Sequence, residues 1–133
     1  MENERIRIIV ADDEPVTKMR ELLVSAGYEV VAEASDGLDA VELCRQYRPD
    51  LILMDVKMPF LDGLSAARMI HEEGLAGAII MLTAYSERDF IDRAKSCGVG
   101  GYLVKPIDEK SLVPSIELAI ARSQELRQLR RDM

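Results

Sequence analysis

The chain has 133 residues, of which 48% are hydrophobic and 31% charged, a balance that suits one compact globular domain. A net charge of −7 argues against a domain that wraps nucleic acid, because phosphate neutralisation needs concentrated Lys and Arg. No apolar run approaches the roughly 18 residues of a membrane span, and the polar, acidic start Met1–Arg5 predicts no secretory leader; a cytoplasmic protein is expected. Cys44 and Cys97 both fall in segments that read as helices, and an isolated pair in such a chain predicts reduced thiols. With a single His and no Cys/His cluster at zinc spacing, any metal should be a hard cation held by oxygen.

In chain order, Arg5–Ala11 reads as a strand, with Ile6, Ile8, Ile9 and Val10 apolar. A helix over Pro15–Ala26 follows, with Met19, Leu22 and Leu23 at helical spacing and Gly27 as its stop. Glu29–Ala34 is a second strand, and Asp36-Gly37 a turn. Leu38, Val41 and Leu43 then line a second helix that ends before Pro49. Leu51–Met54 is the most uniformly apolar strand, as a central strand buried on both faces should be, and it ends at Asp55. A third helix covers Gly63–Glu73, capped by Asp62 and stopped by Gly74. Ala78–Thr83 is the fourth strand. Ser86 and Asp89 frame a fourth helix that stops at Gly98. Gly101–Val104 is the fifth strand, and the remainder one long helix whose first regular turn begins between Lys110 and Pro114.

Strand–helix alternation with short connections implies parallel strands, right-handed crossovers and helices on both faces. The expected fold is α/β, a doubly wound five-stranded parallel sheet of flavodoxin-like order 2-1-3-4-5. Such sheets place their ligand site beyond the carboxyl ends of the strands, at the switch point between strands 1 and 3.

Asp12 and Asp13 follow strand 1, Asp55 ends strand 3, Thr83 ends strand 4, and Lys105-Pro106 follows strand 5. Taken singly, each has an ordinary explanation: a helix cap, a strand-end turn, a β-branched strand residue, a solvated lysine. Their coincidence on one sheet edge does not. Three converging carboxylates repel unless a cation sits among them, and a few oxygens with water suit Mg²⁺. Lys105 adds a second positive charge, the Thr83 hydroxyl can donate to a phosphoryl oxygen, and Asp55 is central enough to be a nucleophile toward phosphorus.

Asp12-Asp13, Met54-Asp55-Val56-Lys57-Met58-Pro59 with Asp62-Gly63, Leu82-Thr83-Ala84, and Lys105-Pro106 together resemble, in order and interval, the signature of response-regulator receiver domains. The resemblance covers Arg5 to about Arg122. It implies a two-component phosphoprotein whose aspartate, Asp55, takes a phosphoryl group from a sensor histidine kinase or phosphotransfer protein. It also implies Mg²⁺ bound directly by Asp13, Asp55 and the Lys57 main-chain carbonyl, with Asp12 acting through water. Thr83, Lys105 and the Ala84 amide would contact the phosphoryl group, Tyr102 would be the aromatic switch beside Thr83, and the Lys105-Pro106 bond would be cis. No enzyme activity is expected beyond the domain's own phosphorylation and dephosphorylation.

Tyr102–Pro106 and Leu112–Ala119 look like the receivers of ANTAR-type antiterminator regulators, which bind RNA through a separate output domain. Leu112, Ile116, Ala119, Ser123, Leu126, Arg130 and Met133 fall on a heptad seam; a coiled coil or a solvated extension of the last helix both fit it. The expected division is a receiver over 1–123 and a helical extension or linker over 124–133, with Arg127, Arg130 and Arg131 as an RNA-facing edge or a charged linker. A homodimer would use the last helix or the face made by the fourth helix, fifth strand and fifth helix. A stand-alone receiver that docks on partners or relays phosphate is the alternative. An aspartyl-phosphate hydrolase is disfavoured by Lys57 where its second aspartate would stand, and a flavin site by the carboxylates after strand 1.

Overall fold

The computed structural model describes residues 5–13, 17–84 and 88–132. Five strands, β1 (Arg7–Ala11), β2 (Glu29–Ala34), β3 (Leu51–Asp55), β4 (Ala78–Thr83) and β5 (Gly101–Val104), alternate with α1 (Thr17–Ser25), α2 (Gly37–Tyr47), α3 (Gly63–Glu73), α4 (Arg88–Ser96) and α5 (Glu109–Asp132). All strand pairs are parallel, in the order β2-β1-β3-β4-β5, the expected doubly wound sheet.

Successive side chains of the three central strands enter two different cores. Ile8, Val10, Leu51, Leu53, Ile80 and Leu82 pack with Leu23 of α1 and with Leu112, Ile116 and Ala119 of α5. Ile9, Ala11, Ile52, Met54, Ile79 and Met81 pack with α2, α3 and Ala94 of α4. A strand alternates sides every residue, so burial on both faces demands the unbroken apolar runs that the sequence carries.

Several local expectations need correction. β1 begins at Arg7, whose N–H donates to Asp50 Oδ2 at 2.8 Å. Asp36 and Gly37 form a helix start, not a turn: the Asp36 carboxylate accepts from the Asp39 N–H, and Gly37 is the first residue of α2. That cap sets the phase, so Gly37, Ala40, Val41 and Cys44 face inward at helical spacing while Leu38 turns outward, 53% exposed. Gly37 leaves no choice of residue, since a Cβ there would lie 1.9 Å from the Leu61 carbonyl oxygen.

α5 begins at Glu109, ahead of the expected start, because Asp108 caps it by accepting from the Ser111 N–H at 2.8 Å. Pro114 therefore lies inside the helix. Cys97 falls just past α4, and both cysteines are free. The first three positions of the heptad seam, Leu112, Ile116 and Ala119, are buried in the domain's own core and are committed to the sheet. Asp62 and Gly74 bound α3 as expected, through an Asp62–Ser65 cap and a left-handed Gly74. Pro15 and Ser86, the Asp89 and Arg130 side chains, Arg131's side chain and Met133 lie outside the described residues. Among the described residues no helix is long and apolar enough to cross a membrane.

Candidate phosphoacceptor site

β1 and β3 are neighbours, so their carboxyl ends bring Asp12, Asp13 and Asp55 to one point. One carboxylate oxygen from each lies within 4.8 Å of the others. Asp55 closes β3 and is buried, 7% exposed; Asp12 is half-buried and Asp13 exposed. Asp12 is held by its own N–H, which donates to Ala34 O at 2.9 Å. The Val56 N–H continues the β3–β4 ladder to Leu82 O at 3.0 Å, which fixes the direction in which Asp55 leaves the strand.

Lys105 reaches across this group. Its Nζ donates to Asp55 Oδ2 at 2.6 Å and to Asp12 Oδ2 at 3.2 Å. Its own N–H is tied to Thr83 O at 2.8 Å, and the Lys105-Pro106 bond is cis as expected. Asp55 Oδ1 accepts from the Lys57 N–H at 3.1 Å. These contacts act against one another. Burial pushes the Asp55 carboxyl above its ordinary range, while the hydrogen bonds from Lys105 and the Lys57 amide pull it back. Burial would lower the Lys105 ammonium, yet its bonds to Asp55 and Asp12 hold it above the ordinary lysine value.

Thr83, the last residue of β4, is buried; Ala84 beyond it is exposed. Tyr102 lies on β5 opposite Met81, 39% exposed, with its ring edge-on to Phe90 of α4 at 5.9 Å and 84°. Beside the carboxylates a cleft of about 480 Å³ is lined by Asp13, Lys57, Met58, Asp62 and Arg93, among others. Against the cost of its own burial, hydrogen bonds from Ser65 and Leu64 and the charge of Arg93 hold Asp62 below the ordinary carboxylate value.

The structure thus brings Asp12, Asp13, Asp55 and Lys105 into mutual reach, with Thr83 on the neighbouring strand end. Sequence reasoning anticipated Lys105 as a charge facing an incoming group, but not its bond to Asp12. It missed Arg93, because α4's charged face gives no sign of which arginine points at the cleft. Three oxygen donors of one charge suit a hard divalent cation such as Mg²⁺.

Comparison with known proteins agrees with this geometry. Residues 8–117 match the family described as the response regulator receiver domain. The chain is 47% identical over 122 residues to the transcriptional regulatory protein PdtaR of Mycobacterium tuberculosis, covering 90% of this chain but 59% of PdtaR. It is 35% identical over 112 residues to the chemotaxis protein CheY of Bacillus subtilis, covering 83% of this chain and 93% of CheY. Among solved structures, the receiver domain of the response regulator NarL from Mycobacterium tuberculosis superposes with a TM-score of 0.82 at 28% identity, over 89% of this chain and 98% of that one. Vibrio cholerae CheY4 does so at 0.81 and 27%, over 87% and 99%. This chain belongs to the response-regulator receiver family of two-component signalling.

Proposed function

We propose that Asp55 is the phosphoacceptor of this receiver and that a phosphohistidine of a sensor kinase or phosphotransfer protein is its donor. The observation that carries this is the buried Asp55 carboxylate, held on one oxygen by Lys105 Nζ at 2.6 Å and on the other by the Lys57 amide at 3.1 Å. An Asp55 oxygen attacks phosphorus in line. The P–O bond forms as the P–N bond breaks, and its electron pair stays on the departing imidazole nitrogen. Attack by water reverses the modification, giving inorganic phosphate and the free carboxylate.

Asp13, Asp55 and the Lys57 carbonyl would hold Mg²⁺, with Asp12 acting through water; when bound, the ion would supply positive charge against the phosphoryl oxygens. Lys105 supplies a fixed second cation from this chain, and Thr83 and the Ala84 amide donate to phosphoryl oxygens. The small Ala84 side chain keeps that approach open. Drawn toward the phosphoryl group, Thr83 vacates space that Tyr102 rotates into, which reshapes the face of α4, β5 and α5. Roughly 3–5 kcal/mol of differential interaction shifts such an equilibrium from mostly off to mostly on.

The output is control of a partner domain. The 47% identity to a transcriptional regulator of which this chain spans about three fifths favours a receiver over 1–123 joined by the helical extension 124–133 to an effector, with RNA antitermination as its expected action and dimerisation through α5 or the α4–β5–α5 face. Similarity to CheY over 93% of that protein supports the second reading, a stand-alone receiver that docks on partners. A direct test is incubation with phosphoramidate and Mg²⁺, then borohydride reduction, which converts an aspartyl-phosphate to homoserine. The peptide carrying Asp55 should contain homoserine; modification at Asp12 or Asp13 instead would overturn the assignment.

A further inference from the structure

The loop over 57–62 joins β3 to α3 and is closed at both ends against the strand that bears Asp55. The Lys57 N–H donates to Asp55 Oδ1 at 3.1 Å, and the Gly63 N–H donates to Val56 O at 2.8 Å. At its apex the Leu61 N–H donates back to Pro59 O at 2.8 Å, closing a three-residue turn centred on Phe60 with φ 68°. That is left-handed backbone, which glycine or asparagine adopts far more readily than a bulky aromatic, and this form of γ-turn is rare and strained. Packing does not compensate. Phe60 is 85% exposed, more than any other large hydrophobic residue among those described. Neither backbone conformation nor burial favours phenylalanine at this position, so its use points outside the domain.

We infer that Phe60 is an anchor for the protein that donates the phosphoryl group, an inference that rests on the reading of Asp55 as acceptor. Asp55 is 7% exposed, so phosphorus attached to a macromolecule reaches it only when that macromolecule seats on the surrounding rim. Phe60 stands on that rim in the loop after β3, five residues beyond Asp55 and beside exposed Pro59; exposed Ala84 follows the end of the neighbouring β4, and exposed Pro106 lies two residues past the end of β5. The partner this fits is a phosphohistidine-bearing protein with an apolar pocket beside its histidine. A tight hydrogen-bonded turn holds the backbone that carries the ring, so little backbone freedom is lost on docking. A small phosphodonor has no surface to seat and makes no use of it.

This separates the two classes of donor. The full chain and its Phe60→Ala, Phe60→Asn and Phe60→Leu variants are offered phosphoramidate with Mg²⁺, and separately the autophosphorylated cytoplasmic regions of the source organism's sensor kinases. Phosphoramidate should label all four alike. From the kinase that phosphorylates the wild type fastest, transfer to the Ala and Asn variants should fall roughly ten- to thirtyfold at subsaturating receiver, the loss expected of an aromatic hot spot. Leu should retain most of the rate. The Asn variant suits left-handed backbone, so its melting temperature should match or exceed the wild type's, which excludes misfolding as the cause. Kinase transfer to the Ala variant within about twofold of wild type would overturn the anchor. So would a wild type that phosphoramidate labels but no kinase does. Failure of both donors on the wild type would instead remove Asp55 as acceptor, and the anchor with it.

Discussion

Asp55 carries opposing demands that can be read out as stability. Its carboxylate is buried beside Asp12 and Asp13, with oxygens within 4.8 Å of each other, a repulsion of about 1 kcal/mol per pair even at a water-like dielectric. Lys105 offsets part of this through its bonds to Asp55 and Asp12. In chelator, Asp55→Asn should therefore raise the melting temperature by a few degrees, since Lys105 keeps Asp12 as a partner. The sign with pH follows from the raised carboxyl. The folded state holds that proton more tightly than the unfolded chain, so the favourable contribution is complete below the unfolded carboxylate value. It is lost as pH rises through the higher folded value. The variant's advantage should thus be largest at neutral pH and vanish in acid. Saturating Mg²⁺ at about 100 times its dissociation constant should add about 2.7 kcal/mol to the wild type and much less to the variant. Thermal melts with and without Mg²⁺ across pH check each part.

At the scale of elements, the site depends on how closely α3 approaches β3. A Cβ at Gly63 would fall 2.0 Å from the Asp55 carbonyl oxygen, which is backbone and cannot move aside. Gly63→Ala should cost roughly 1–3 kcal/mol of stability and slow phosphorylation by shifting the strand end that aims Asp55; denaturant unfolding and phosphoramidate labelling measure the two effects. Gly63 was legible as a helix start after Asp62 and as part of the receiver signature, but its close approach to β3 was not, because contact between backbones leaves no mark in local pattern. The three central strands were plainly legible, since burial on both faces forces unbroken apolar runs such as Leu51–Met54. Helix phases were less so. Leu38 looked like a core residue until the Asp36 cap fixed where α2 begins, and the start of α5 depended on Asp108 rather than on Pro114. The site followed from topology: polar residues placed at four strand ends needed only the strand order to converge. Phe60 and Arg93 stayed invisible because exposure and direction at a loop or a charged helix face have no periodic signal.

Across the whole molecule, the two cores divide labour. α1 and α5 cover one face of the sheet, and α2, α3 and α4 the other, so the site at the strand ends and the face of α4, β5 and α5 share the same central strands. The hold of α5 on the domain is graded. Leu112, Ile116 and Ala119 are buried, Ser123 Oγ still donates to Gly77 O at 2.6 Å, and Leu126 and Leu129 are exposed. A chain ending after Ser123 should then melt within a few degrees of the full chain and take phosphate equally well. A large loss of stability would move the domain boundary outward, past Arg127.

The central claim, a Mg²⁺-dependent phosphoryl transfer to one buried aspartate, is tested most directly by intact-mass spectrometry of the full chain. The protein is incubated with phosphoramidate and Mg²⁺ beside an Asp55→Asn variant and a chelator control. A single phosphoryl addition to the wild type, absent from both controls, is the expected result. An unmodified wild type under every condition, or an Asn variant modified at the same rate, would contradict it.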